Sequence, residues 1–139
     1  MTTTDKNIRR VNVVWQGDMR FSGGGPDGPV LQVDADNGIA PGPMLTLLIA
    51  AAACAGADVV SIVKKMQIEL TRFEIAVEGH RAPEHPRRYI SIQFIFRLSG
   101  AGLEEAKARR AIDLSIEKYC SVIHSLKSDI PISYQLELT

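Results

Sequence analysis

Fourteen residues in a row, Met44–Ala57 (MLTLLIAAAACAGA), carry no charge. Pro41-Gly42-Pro43 punctuates the chain just ahead of them. Pro43 suits a first helical turn, where a missing N–H leaves no bond unmade. The pattern predicts one long helix from there to about Met66. Its first half is apolar on every side, the mark of a helix buried all round. Ala50–Ala53, Ala55, Gly56 and Ala57 are small enough to let another backbone approach closely. The second half becomes amphipathic and ends on Lys64-Lys65, which suit a helix C-terminus. Such a helix needs more cover than one small domain supplies, so the chain is expected to form a homodimer. The uncharged run is too short for a membrane span, which takes about 20 apolar residues.

The flanking segments alternate with strand period. Val11, Val13 and Trp15, then Met19 and Phe21, then Leu31 and Val33 predict three short strands, each with one side buried. Gly23-Gly24-Gly25-Pro26-Asp27-Gly28 matches GxGxxG in letters, but a strand pattern follows it where a dinucleotide site needs a helix N-terminus. A hairpin loop is the expectation. Phe73, Ile75 and Val77 form a fourth strand, and Ile90, Ile92, Phe94 and Phe96 a fifth with Ser91, Gln93 and Arg97 opposite. The loop between them, residues 80–86, holds His80, Glu84 and His85, but without the spacing of a helical zinc motif and with prolines that forbid a helix. No metal is expected there.

A second helix begins at Leu103, with Ala108, Ile112, Ile116, Tyr119, Cys120 and Ile123 as its buried stripe. Glu105, Arg109 and Asp113 fall at i,i+4 on the wet side. After Pro131, Ile132, Tyr134, Leu136 and Leu138 alternate inward as a last strand. Three strands, helix, two strands, helix and strand make an α+β domain. A length of 139 residues fits a single domain over 1–139 with its own core. Sixteen basic residues balance sixteen acidic ones, so no overall field favours nucleic acid or an anionic membrane. The N-terminal residues lack the apolar core of a signal peptide. A cytoplasmic protein with its thiols reduced at rest is expected.

The chemistry then turns on Cys54 and Cys120. A buried cysteine is most often a small inert hydrophobe, and both positions fit that account. Redox work asks for a thiolate made accessible by a nearby cation and a second thiol able to reach it. Only tertiary structure can join residues 66 positions apart. A hydrolase is the weaker reading. His124 lies four residues after Cys120, yet no nucleophile elbow or oxyanion loop accompanies it.

Pro43-Met44-Leu45-Thr46-Leu47-Leu48, leading through alanines to Cys54 and then to residues 58–66, resembles the central helix of OsmC/Ohr-type proteins. Residues 117–122 with Ser125-Leu126 resemble that family's second-cysteine segment, and the strand after Pro131 its ending. The resemblance covers nearly the whole chain. It implies an OsmC-like fold, with antiparallel strands, a long central buried helix and a second helix, assembled as an intertwined dimer. It also implies a thiol peroxidase that reduces organic hydroperoxides, with Cys54 as the peroxidatic thiol, Cys120 as the resolving thiol and Arg20 as the activating cation. An external dithiol would restore the pair, with no cofactor and no metal. One departure stands out. Members with this activity carry a glutamate just after the helix-opening proline, where this chain has Met44 and Leu45. Activity is therefore expected to be weak unless another acid, such as Asp18 or Asp58, holds Arg20. The alternative is a noncatalytic protein that binds a small hydrophobic ligand on the same dimeric scaffold.

Overall fold

A computed structural model describes residues 6–139. The described residues divide into two compact units, one ending at Leu47 and one spanning Leu48–Thr139.

In the first unit, β1 (Asn12–Trp15), β2 (Arg20–Gly24) and β3 (Val30–Asp34) form an antiparallel sheet in that order. Gly24 pairs with Val30, and the Gly28 N–H donates to the Gly25 carbonyl at 3.2 Å. The glycine-rich run is thus a hairpin loop, as its flanks predict. The expected buried side of these strands is not found within the unit. Val13, Trp15, Val30 and Leu31 are each more than half exposed. The alternation marks faces that a three-stranded sheet cannot cover by itself. Beyond β3, the Asp34 carboxylate accepts the N–H groups of Asp36, Gly38 and Ile39 at 2.9, 3.1 and 3.0 Å. The Asn37 side-chain oxygen accepts the Gly42 N–H at 2.7 Å. These bonds build the turn that delivers the chain to Pro43.

Helix α1 (Pro43–Lys65) runs for 23 residues. In the second unit it buries Leu48, Ala51, Ala55, Gly56, Val59 and Val63, a stripe at helical spacing. Gly56 sits close against Ile75 and Phe73: an added methyl would lie 3.2 Å from the Ile75 side chain. The helix is not buried all round, as its composition predicts, because Leu45, Ile49 and Val60 are about half exposed. By length and mean hydropathy the whole helix meets the requirement for a bilayer span, which the shorter uncharged run does not. Its stripe of small residues packed on a sheet is the arrangement of a core helix.

That sheet has the order β4-β5-β6, from Leu70–Arg81, Tyr89–Gly100 and Ile132–Leu138. Ile92, Phe94, Phe96 and Leu98 point inward from β5 and are essentially inaccessible. A bulge interrupts the β4–β5 ladder, with His80 opposite Ser91 but Arg81 opposite Tyr89. Ile90 is left over and turned out, 44% exposed against an inward expectation, and Tyr89 is buried instead. Strand β6 joins β5 in parallel, from Ile92↔Ile132 to Leu98↔Leu138, departing from an antiparallel sheet. Parallel neighbours need a crossover, and here it carries the second cysteine.

Candidate functional site

The crossover starts as α2 (Glu105–Leu114). It then widens into a single π-helical turn over Ser115–Tyr119, closed by the Cys120 N–H donating to the Ser115 carbonyl five residues back, at 2.7 Å. Cys120 leaves helical geometry with φ −72° and ψ 100°, and a short α3 (Ser121–Ser125) follows. One unbroken helix would bury Tyr119. The wide turn places it half exposed and Cys120 fully buried. The Cys120 sulfur lies 3.9 Å from the Ala51 carbonyl.

On α1, Cys54 and Asp58 are one turn apart and share a face. The two sulfurs and one Asp58 carboxylate oxygen all lie within 4.8 Å of one another. Both cysteines are free thiols. Ser115, fully buried, donates its hydroxyl to the Asp58 carboxylate at 2.9 Å. Burial pushes the Cys120 thiol up to about 11, and the Cys54 thiol and the Asp58 charge push the same way, against the Ile123 N–H. Cys120 therefore holds its proton at neutral pH. Ser115 was invisible to sequence reasoning, and Asp58 figured only as a partner for Arg20. The clue to Asp58 was its i,i+4 spacing from Cys54.

Arg20 opens β2 after the turn at Gly17 and Asp18, both with positive φ. Its guanidinium lies 3.7 Å from the Asp18 carboxylate. Asp34 is its register partner across the ladder. The N–H groups of Ile39 and Asp36, then that of Gly38, and finally the Arg20 charge hold the Asp34 carboxyl below the usual carboxylate range, against a smaller effect of burial. The Arg20 Nε is buried and has no hydrogen-bond partner among the described residues. Of the two acids considered in place of a glutamate at Met44 or Leu45, Asp18 pairs with Arg20, while Asp58 bonds to Ser115. Asp34 is the neighbour that the sequence concealed.

The remaining candidates take quieter places. His80 and His85 are exposed on the 80–86 segment and belong to no cluster of three potential ligands among the described residues. His124 places its Nε2 3.0 Å from the Ile116 carbonyl, which commits its ring to closing the helix break.

The family model described as OsmC-like protein matches residues 35–135. The chain belongs to the OsmC-like family. The OsmC-like chain is 35% identical over 130 residues to Protein YhfA of Escherichia coli (strain K12), covering 93% of this chain and 97% of that one. The crystal structure of an OsmC-like protein from Mycoplasma pneumoniae superposes with a TM-score of 0.82 at 18% identity, covering 96% and 99% of the two chains. The organic hydroperoxide resistance protein OhrB of Bacillus subtilis superposes at 0.62 and 17% identity, covering 94% and 98%. At those identities the two structures establish the OsmC-like fold alone.

Proposed function

We propose that this chain is a two-cysteine thiol peroxidase acting on organic hydroperoxides. The observation that carries the reading is the approach of two free sulfurs to within 4.8 Å, one from the central helix and one from a break in the second. In this scheme the Cys54 thiolate attacks one oxygen of the O–O bond. The bond breaks, the alkoxide takes up a proton and leaves as the alcohol, and Cys54 becomes a sulfenic acid. The Cys120 sulfur then attacks the Cys54 sulfur. Hydroxide leaves, combines with the Cys120 proton as water, and a disulfide remains. An external dithiol returns the pair to thiols. A protonated Cys120 supports this order of events, because a weak nucleophile waits until the sulfenic acid forms. Arg20 is assigned, on the family resemblance, as the cation that activates Cys54; Asp18 pairs with it and its charge acts on Asp34.

The proposal includes a homodimer. Leu45, Ile49 and Val60 on α1, and Val13, Trp15 and Leu31 on β1 and β3, are large apolar side chains each about half exposed or more, the kind that marks an interaction face. A second copy of the chain is the cover that these faces fit. Sedimentation at micromolar concentration is expected to give twice the chain mass, and a monomer mass alone removes this part.

The decisive experiment treats reduced protein with stoichiometric cumene hydroperoxide and maps peptides without reduction. A crosslinked Cys54–Cys120 peptide is expected. Separately over-oxidised cysteines would deny Cys120 its resolving role. One observation favours the second reading, a noncatalytic hydrophobic-ligand protein: an apolar groove of about 710 Å³ in the first unit, lined among others by Val11, Val13, Phe21, Leu31 and Val33. Stopped-flow thiol oxidation by an alkyl hydroperoxide separates the two, since only the peroxidase consumes the oxidant.

A further inference from the structure

We propose that the reduced chain binds one Zn²⁺ through the sulfurs of Cys54 and Cys120 and the carboxylate of Asp58. A tetrahedral zinc with bonds of about 2.3 Å to sulfur and 2.0–2.2 Å to oxygen holds sulfurs roughly 3.8 Å apart and each sulfur roughly 3.5 Å from the oxygen. The three donors already lie within 4.8 Å of one another, so small side-chain rotations close the site. The donor set is selective. Two soft thiolates favour zinc, whereas Mg²⁺ and Ca²⁺ ask for oxygen throughout.

The second observation is the Ser115 hydroxyl, buried and 2.9 Å from the Asp58 carboxylate. Metal-binding carboxylates are oriented by a hydrogen bond of this kind. Cys54 and Asp58 are fixed relative to each other by one turn of α1, and Cys120 by the wide turn that ends at it. Three protein donors leave the fourth tetrahedral position to water. Binding converts Zn²⁺, two thiols and one carboxylate into a complex of net charge −1 and releases two protons, so charge balances at +1 on both sides. The sulfur electron pairs that bind the metal are the ones that form a disulfide. Zinc and peroxide therefore exclude each other at this site, and oxidation expels the metal. The zinc site itself does not require the peroxidase reading.

The test titrates reduced, metal-free protein with Zn²⁺ against a chromophoric chelator, and separately with Co²⁺, which reports thiolate ligation by charge-transfer and tetrahedral d–d absorption. One ion per chain, two protons released and a tetrahedral thiolate spectrum are expected. Cys54→Ser with Cys120→Ser should abolish binding. Asp58→Asn, which keeps a group able to accept the Ser115 hydroxyl, should weaken it at least about tenfold, and Ser115→Ala by about tenfold. Circular dichroism confirms that each variant is folded. Zinc binding unchanged in the double cysteine variant, or unchanged in Asp58→Asn, would overturn the site. Disulfide formation with peroxide, scored on the same samples, keeps the two proposals apart. A chain that forms the disulfide but ignores zinc loses only this site, and a chain that binds zinc but resists peroxide loses only the peroxidase.

Discussion

The Ser115 hydroxyl donates to the Asp58 carboxylate at 2.9 Å, pinning the π turn to the central helix. The bond is partly buried, and an Asp58 carboxylate oxygen lies within 4.8 Å of both sulfurs. Removing its donor leaves a carboxylate deprived of its partner in a partly buried place. Ser115→Ala is expected to destabilise the fold by about 1–3 kcal/mol. Urea denaturation under reducing conditions reads this directly, and an unchanged midpoint would show that water replaces the hydroxyl without loss.

Cys120 makes stability fall at alkaline pH. Its thiol titrates near 9.0 in the unfolded chain and is pushed up to about 11 by burial in the folded one. Between these values the unfolded state gives up a proton that the folded state keeps, so raising the pH favours unfolding. The contribution is fully present below about pH 9 and is lost as the pH climbs toward 11, by roughly 2–3 kcal/mol. Cys120→Ala should flatten the fall across that window. Identical pH profiles for the two proteins, measured by urea midpoint in reductant, would contradict the assignment.

Gly79 is held by close packing rather than by an unusual backbone. A methyl placed on it would lie 2.5 Å from the Tyr89 ring and 3.2 Å from Leu48. Gly79→Ala must move a buried aromatic ring at the bulged end of the β4–β5 ladder. A cost of about 1–3 kcal/mol is expected, as for other overpacked cores. A thermal melt that shifts by less than a degree would mean that the ring has room to turn.

Arg20→Ala tests the activation scheme. Loss of the cation should slow thiol oxidation by alkyl hydroperoxide by about tenfold or more, equivalent to about 1.4 kcal/mol of transition-state stabilisation. Leu45→Glu should help only slightly, because Asp18 already pairs with the guanidinium. Rapid turnover that ignores Arg20→Ala would remove Arg20 from the mechanism, and a large gain from Leu45→Glu would show that Asp18 holds it poorly.

The order of elements was legible because each had a clean period, from the alternation of β5 to the uncharged start of α1. What escaped were places where one residue breaks the period. Ile90 and Tyr89 exchange roles because a bulge inserts a residue, and no local pattern announces a bulge. Tyr119 leaves the expected buried stripe while Cys120 stays on it, because a turn closes at i−5 rather than i−4. The two cysteines were legible as candidates through family resemblance, but their approach was not, because it depends on a crossover tied down by the parallel pairing of β6. Asp34 was hidden for another reason. Its importance lies in three backbone N–H groups, and backbone groups leave no trace in the letters of a sequence.

The wide turn at Ser115–Tyr119 carries a consequence for ancestry. One residue corresponds to about 100° of rotation in an α-helix, so the additional residue in that ring decides which way position 120 faces. A descendant that lost a single residue there would keep both cysteines and still have no dithiol. An ancestor that gained one could have acquired the pair without a new sulfur ever being coded. In either case a census of cysteines would record no change.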